Sequence, residues 1–179
     1  MTYKEITGDL IELARNGAFD VISHGCNCFN NMGAGIAPKM AEAFGCNNFP
    51  LELEYLSDFD DDGEEIAIET DNKGDINKLG QIDFKLKTVR FGKTIKQIAV
   101  VNSYTQYHYG KNHTDGVSRP LDYEALTLCM RKINHKFKGR HIGLPKIGAG
   151  LAGGSWDRIK AIIQQELKDC DVTVVIYDK

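Results

Sequence analysis

His24, Cys26, Asn27, Cys28, Asn30 and Asn31 fall within eight residues and run straight into Gly33-Ala34-Gly35. Polar residues this dense beside a glycine turn are poor material for a core. A histidine titrates near neutrality and suits general acid or base work, so His24 is the candidate catalytic residue. Asn27, with Asn30 or Asn31, could orient water or a phosphate. Cys26 and Cys28 with His24 could bind a metal, but the chain has no second paired cluster of ligands and no H-E-x-x-H. A cysteine nucleophile activated by His24 is conceivable. Two cysteines two apart at a strand exit also serve as small packing residues. No metal and no cofactor is expected.

A second glycine-rich stretch, "KIGAGLAGGSW", spans 146–156. Gly148, Gly150 and Gly153 satisfy G-x-G-x-x-G, but a dinucleotide-binding unit needs further βα units and an acid about 20 residues later. Here one helix and one strand remain. Neither loop is G-x-x-x-x-G-K-[ST], which excludes a P-loop. Both loops lie where a strand ends and a helix begins, the place where open α/β sheets bind ligands. Helix N-termini there offer free N–H groups to phosphate oxygens, and glycine lets the backbone approach closely. Two such loops suit a diphosphate better than one phosphate.

The elements that must position these loops read as follows. Residues 2–6 form a strand, and Asp9 caps a short helix over 10–15. Residues 19–23 form a second strand that delivers His24 at its end. The turn at 33–35 opens a helix to about 44, with Pro38 in its first turn. "QIDFKLKTVRF" and "KTIKQIAVVNSY" alternate as a hairpin about Gly92. A helix begins at Pro120 and stops by Gly139, with Leu121, Ala125, Leu128, Cys129, Ile133 and Phe137 near one face. "HIGLP" is a buried strand, "DRIKAIIQQELKDC" the last helix and "VTVVIYD" the last strand. Alternating strands and helices predict an α/β fold in three layers, with a mixed, largely parallel sheet between helices. "TQYHYG", 105–110, places Gln106, Tyr107, His108 and Tyr109 at another strand exit. There they could stack on a base or ribose, or form a rim over the sheet end.

The chain has 179 residues, which suits a single domain over 1–179. Net charge is −3, yet residues 52–75 hold eleven acids against one lysine, which leaves the remainder with seven surplus cations. A basic body attracts a phosphorylated ligand. "SDFDDDGEE" reads as a mobile loop or hairpin tip within an acidic insertion at about 46–92. No apolar run spans a membrane, and the N-terminus lacks an apolar signal region. Five scattered cysteines are no disulfide framework, so a cytoplasmic location is expected.

These motifs together resemble the macrodomain family. Asn27 followed by Gly33-Ala34-Gly35-Ile36 is similar to its asparagine and small-residue loop, Gly8-Asp9-Leu10 to its first adenosine-contacting element, and "LPKIGAGLAGGSW" to its second phosphate loop. "NSYTQYHYG" and "LDYEAL" add two weaker matches in order. The resemblance covers nearly the whole chain except about 46–92, and is nearest to the yeast-type ADP-ribose 1″-phosphate phosphatases and their bacteriophage relatives.

The resemblance implies ADP-ribose or a phosphorylated derivative as partner, with neither membrane nor nucleic acid expected. Gly8, Asp9 and Leu10 would serve the adenine, and Asn27 the distal ribose. Gly33, Ala34, Gly35 and Ile36 would clasp the diphosphate from one side and Gly148, Ala149, Gly150, Leu151 and Ala152 from the other, with Ile36 also walling the adenine or ribose. Met32, Gln106, Pro145 and Ile147 would be further ligand-binding residues. The implied activity is release of phosphate from ADP-ribose 1″-phosphate. A non-catalytic ADP-ribose reader and a hydrolase that removes ADP-ribose from a macromolecule are the alternatives. The related lysine-dependent glycohydrolases carry a lysine and an aspartate where this chain has "VVNSYT" and Ala152, which argues against their chemistry.

Overall fold

The computed structural model describes residues 1–49, 56–59, 62, 64–67, 74–108 and 120–177. Its strands are β1 (Tyr3–Gly8), β2 (Val21–Asn27), β3 (Leu56–Phe59), β4 (Glu65–Ala67), β5 (Ile82–Phe91), β6 (Thr94–Gln106), β7 (His141–Leu144) and β8 (Asp171–Tyr177). The helices are α1 (Leu10–Arg15), α2 (Ala37–Phe44), α3 (Tyr123–Lys136) and α4 (Trp156–Glu166). One sheet takes the order β1-β8-β7-β2-β6-β5-β3-β4. From β1 through β6 the neighbours are parallel, and β5, β3 and β4 extend the sheet antiparallel. This is the three-layer α/β fold expected from the alternation of elements.

Each face of the sheet has its own core. Val21, Val101, Ile142 and Val174 meet Leu126, Met130, Ile133, Ile159 and Ile163 from α3 and α4. Ile22, Ile98, Val100 and Val175 meet Leu10, Ala14, Met40 and Phe44 from α1 and α2. Successive strand residues point to opposite faces, so Val21 and Ile22 feed different layers. The central strands β2, β6, β7 and β8 are therefore largely buried on both faces, as a covered parallel sheet requires.

The local signals work as their chemistry dictates. Asp9 caps α1, its Oδ1 accepting from the N–H groups of Ile11 and Glu12 at 3.0 and 3.1 Å. Pro38 lies in the first turn of α2, and Gly45 ends that helix at φ 67°. The hairpin turns at Gly92, with Phe91 opposite Thr94. Asp122 caps α3 through Ala125 N–H at 3.0 Å, so the helix starts three residues after Pro120. Leu126 and Met130 join its buried face while Leu128 and Phe137 are only half-buried. Part of the acidic run pairs as a β3–β4 hairpin, Phe59 opposite Glu65.

One boundary differs with consequence. β2 runs through Asn27, pairing parallel with β6 as far as Gln106. His24 therefore lies in mid-strand and not at the strand exit.

Candidate functional site

The cleft opens at the C-terminal ends of β2, β6 and β7, where the strand order leaves a crevice. It is a hollow of about 340 Å³, within the usual range for small-molecule sites. One wall is the loop Met32–Ile36 leading into α2. The other is Pro145–Ile147 with Gly148 and Gly150–Ala152. The floor is Gly25, Cys26, Asn27, Thr105 and Gln106.

The first loop is braced from inside. Asn27 Oδ1 accepts from the N–H groups of Phe29 and Asn31 at 3.0 and 3.1 Å, and Asn27 Nδ2 donates to Asn31 O at 2.8 Å. Asn30 takes φ 53°, which asparagine tolerates better than most residues. Asn31 Oδ1 accepts from Gly33 N–H at 3.1 Å. Beyond it, the N–H groups of Ala34, Gly35 and Ile36 have no acceptor among the described residues. The N-cap of α2, Ile36, supplies no side-chain cap, so that helix end keeps its donors for a ligand.

The second loop divides its glycines between packing and space. A Cβ on Gly154 would lie 2.3 Å from Leu121 Cδ2, and one on Gly148 2.9 Å from Leu121 Cδ1. These two let the loop lie against Leu121. A Cβ on Gly150 would meet nothing within 4 Å, and the same holds across the cleft at Gly35. Over both glycines, then, there is open space. The N–H groups of Gly148, Gly150, Leu151 and Ala152 have no acceptor among the described residues, while Gly153 and Gly154 close the turn onto Gly150 O and Gly148 O at 3.0 and 2.8 Å. Leu151 is a largely exposed apolar side chain at the rim. Lys146 also lines the hollow and lies 5.4 Å from the Trp156 ring.

His24 is corrected from its sequence reading. It is fully buried and does not line the cleft. Asn102 Nδ2 donates to Asp83 Oδ1 at 2.7 Å and to Cys46 O at 2.8 Å, so Asn102 Oδ1 is the acceptor facing His24. His24 Nε2 must then carry the proton it donates across 2.9 Å. Burial pulls the imidazole pKa down to about 4, with the Asn102 bond acting in the opposite sense. This is a neutral core histidine. It belongs to a buried network in which Tyr104 also donates to Asp83 Oδ2, and burial raises Asp83 to about 7.

The remaining expectations sort plainly. Met32, Gly33, Ala34, Gly35, Ile36, Gln106, Pro145, Ile147, Gly148, Gly150, Leu151 and Ala152 line the hollow; Ala149 does not. Asn27 lines it, but its carbonyl oxygen is already committed to its own loop. Leu10 is buried in the α1–α2 core, and neither Gly8 nor Asp9 reaches the hollow. Asp9 Oδ1 is occupied in capping α1. Burial raises both the Cys26 and the Cys28 thiols, which disfavours the thiolate a nucleophile needs. Tyr107 and His108 pack edge-on against Phe29 at 5.3 and 4.8 Å, and neither lines the hollow. Tyr109 lies outside the described residues. Thr105, Gly25 and Lys146 were not singled out from sequence; no local signal marks the first two, since β2 and β6 both continue past their expected ends. Among the described lining residues there is no histidine, aspartate or glutamate.

No protein-family profile matches the chain. It is 31% identical, over 99% of its length and 98% of the relative's, to an uncharacterised 17.5 kDa protein in the tk-vs intergenic region of Enterobacteria phage T4. Among solved structures, the macrodomain of Thermus aquaticus DarG superposes with TM-score 0.59 at 18% identity, covering 99% of each chain. DarTG of Thermosipho africanus, in complex with ADP-ribose, superposes with TM-score 0.56 at 17% identity, over 99% of this chain and 41% of that one. Fold and cleft thus define an α/β domain with a glycine loop on each side of one hollow. The chain has the macrodomain fold and is a relative of the phage T4 protein.

Proposed function

We propose that the cleft binds ADP-ribose, with the diphosphate clasped between Ala34–Ile36 and Gly148–Ala152. The observation that carries this reading is the pair of facing loops with unused N–H donors and open space over Gly35 and Gly150. Unpaired backbone donors on two loops that line one hollow suit a diphosphate. The ADP-ribose complex of the Thermosipho africanus protein supports the choice of ligand. The distal ribose lies toward Asn27 and the ends of β2 and β6. The adenine lies toward Ile36, which packs on the core containing Leu10. Calorimetry with ADP-ribose tests it, with Gly150→Glu as the blocked control.

A second reading is hydrolysis of ADP-ribose 1″-phosphate. Besides the two loops, the hollow is lined by Cys26, Thr105 and Gln106, against which a substituent on the distal ribose would lie. Water would attack phosphorus, the P–O bond to the ribose oxygen would break, and that oxygen would take a proton. With no imidazole or carboxylate among the described lining residues, the chain's contribution is to bind and orient the phosphate. Phosphate release that Gly150→Glu abolishes supports hydrolysis. Binding without release makes the domain a reader, or a hydrolase of another linkage such as ADP-ribose on a macromolecule.

A further inference from the structure

We propose that Thr105 contacts the ligand and reads the hydroxyl-bearing far end of ADP-ribose; this rests on the cleft reading above. Thr105 is 1% exposed, yet its Oγ1 has no hydrogen-bond partner among the described residues. Buried hydroxyls are normally satisfied, because water is lost and must be replaced. Thr105 lines the floor of the cleft.

Its direction has a structural cause. β2 and β6 pair in register as far as Cys26 and Tyr104, then Asn27 pairs with Gln106. Thr105 is the extra residue of a β-bulge, a device that re-aims a side chain at a strand end. Opposite it stands Gly25, where a Cβ would lie 2.9 Å from Thr105 Oγ1 and 3.4 Å from Ile147. Any larger residue at 25 would occupy the space in front of the hydroxyl. Its own backbone is held, Thr105 O accepting from Asp122 N–H at 2.9 Å, and the neighbouring Gln106 side chain is held as Nε2 donates to His108 O at 2.9 Å. A hydroxyl that can both donate and accept, held rigidly beside the Asn27 end of the cleft, matches a sugar hydroxyl.

The test compares wild type, Thr105→Val and Thr105→Ser by calorimetry with ADP-ribose and with ADP, which lacks the distal ribose, alongside thermal melting without ligand. Thr105→Val should bind ADP-ribose about tenfold more weakly and ADP as wild type does, and Thr105→Ser should recover ADP-ribose affinity. Because the hydroxyl has no protein partner, the unliganded Thr105→Val protein should melt at or above the wild-type temperature. Unchanged ADP-ribose affinity in Thr105→Val overturns the assignment and leaves the cleft reading standing. Equal losses for ADP and ADP-ribose, or a lowered melting temperature, would show a merely structural role. A wild-type protein that binds neither ligand overturns both readings.

Discussion

Replacing His24 by Gln should change how stability depends on pH. Gln can place an N–H near the position of Nε2 and keep the bond to Asn102, but it does not titrate. In the folded chain the imidazole is held neutral down to about pH 4, against an ordinary value of 6.5. The unfolded chain therefore binds more protons between these values. The stability that neutral His24 contributes is complete above pH 6.5 and is lost as the pH falls to about 4. At about 1.4 kcal/mol per unit, this is about 3 kcal/mol. Asp83 acts the other way: raised from 3.8 to about 7, its contribution is complete below 3.8 and is lost as the pH rises through 7. The two partly cancel in wild type, so the difference between wild type and His24→Gln isolates the histidine. Urea unfolding at pH 7 and at pH 4.5 measures it. The wild-type advantage should shrink by about 2 to 3 kcal/mol at the lower pH. An advantage that does not change with pH would mean that His24 titrates as an exposed imidazole, and the buried assignment would fail.

Other variants probe the loops. Gly150→Glu should leave the melting temperature within a few degrees and abolish ADP-ribose binding in calorimetry, because its carboxylate enters open space where the phosphates would lie. Gly35→Glu should do the same to binding, at an added stability cost of about 1 kcal/mol for a side chain at φ +65°, read by urea unfolding. Gly154→Ala should lower stability by about 2 to 3 kcal/mol in the same assay, since its Cβ meets Leu121 and the Gly148 carbonyl. Lys146→Ala should weaken ADP-ribose binding several-fold and flatten its salt dependence, for this cation lines the cleft.

Much of the architecture is legible from local chemistry. Asp9 caps a helix, Gly92 turns the hairpin, and the 3.6- and 2-residue periods separate α3 from β5 and β6. Both glycine loops are legible as well, because tight turns at positive φ between a strand and a helix favour glycine. What is not legible depends on pairing across the sheet. His24 meets Asn102, 78 residues away, and Asn102 meets Asp83 on the neighbouring strand. Those long-range bonds make "SHGCN" acceptable inside a core, where polarity alone reads as a loop. Thr105 is hidden for a related reason: its direction is set by a bulge in the pairing of β2 with β6, which no single strand encodes. Conversely, Gly8-Asp9-Leu10 matches a motif, while its side chains go to a helix cap and a core.

The most direct measurement is a calorimetric titration of ADP-ribose into wild type and Gly150→Glu at equal folded concentrations. The account predicts one site per chain in wild type and no heat of binding in the variant. Equal binding in both proteins would place the ligand somewhere other than between the two glycine loops, and would contradict the central claim.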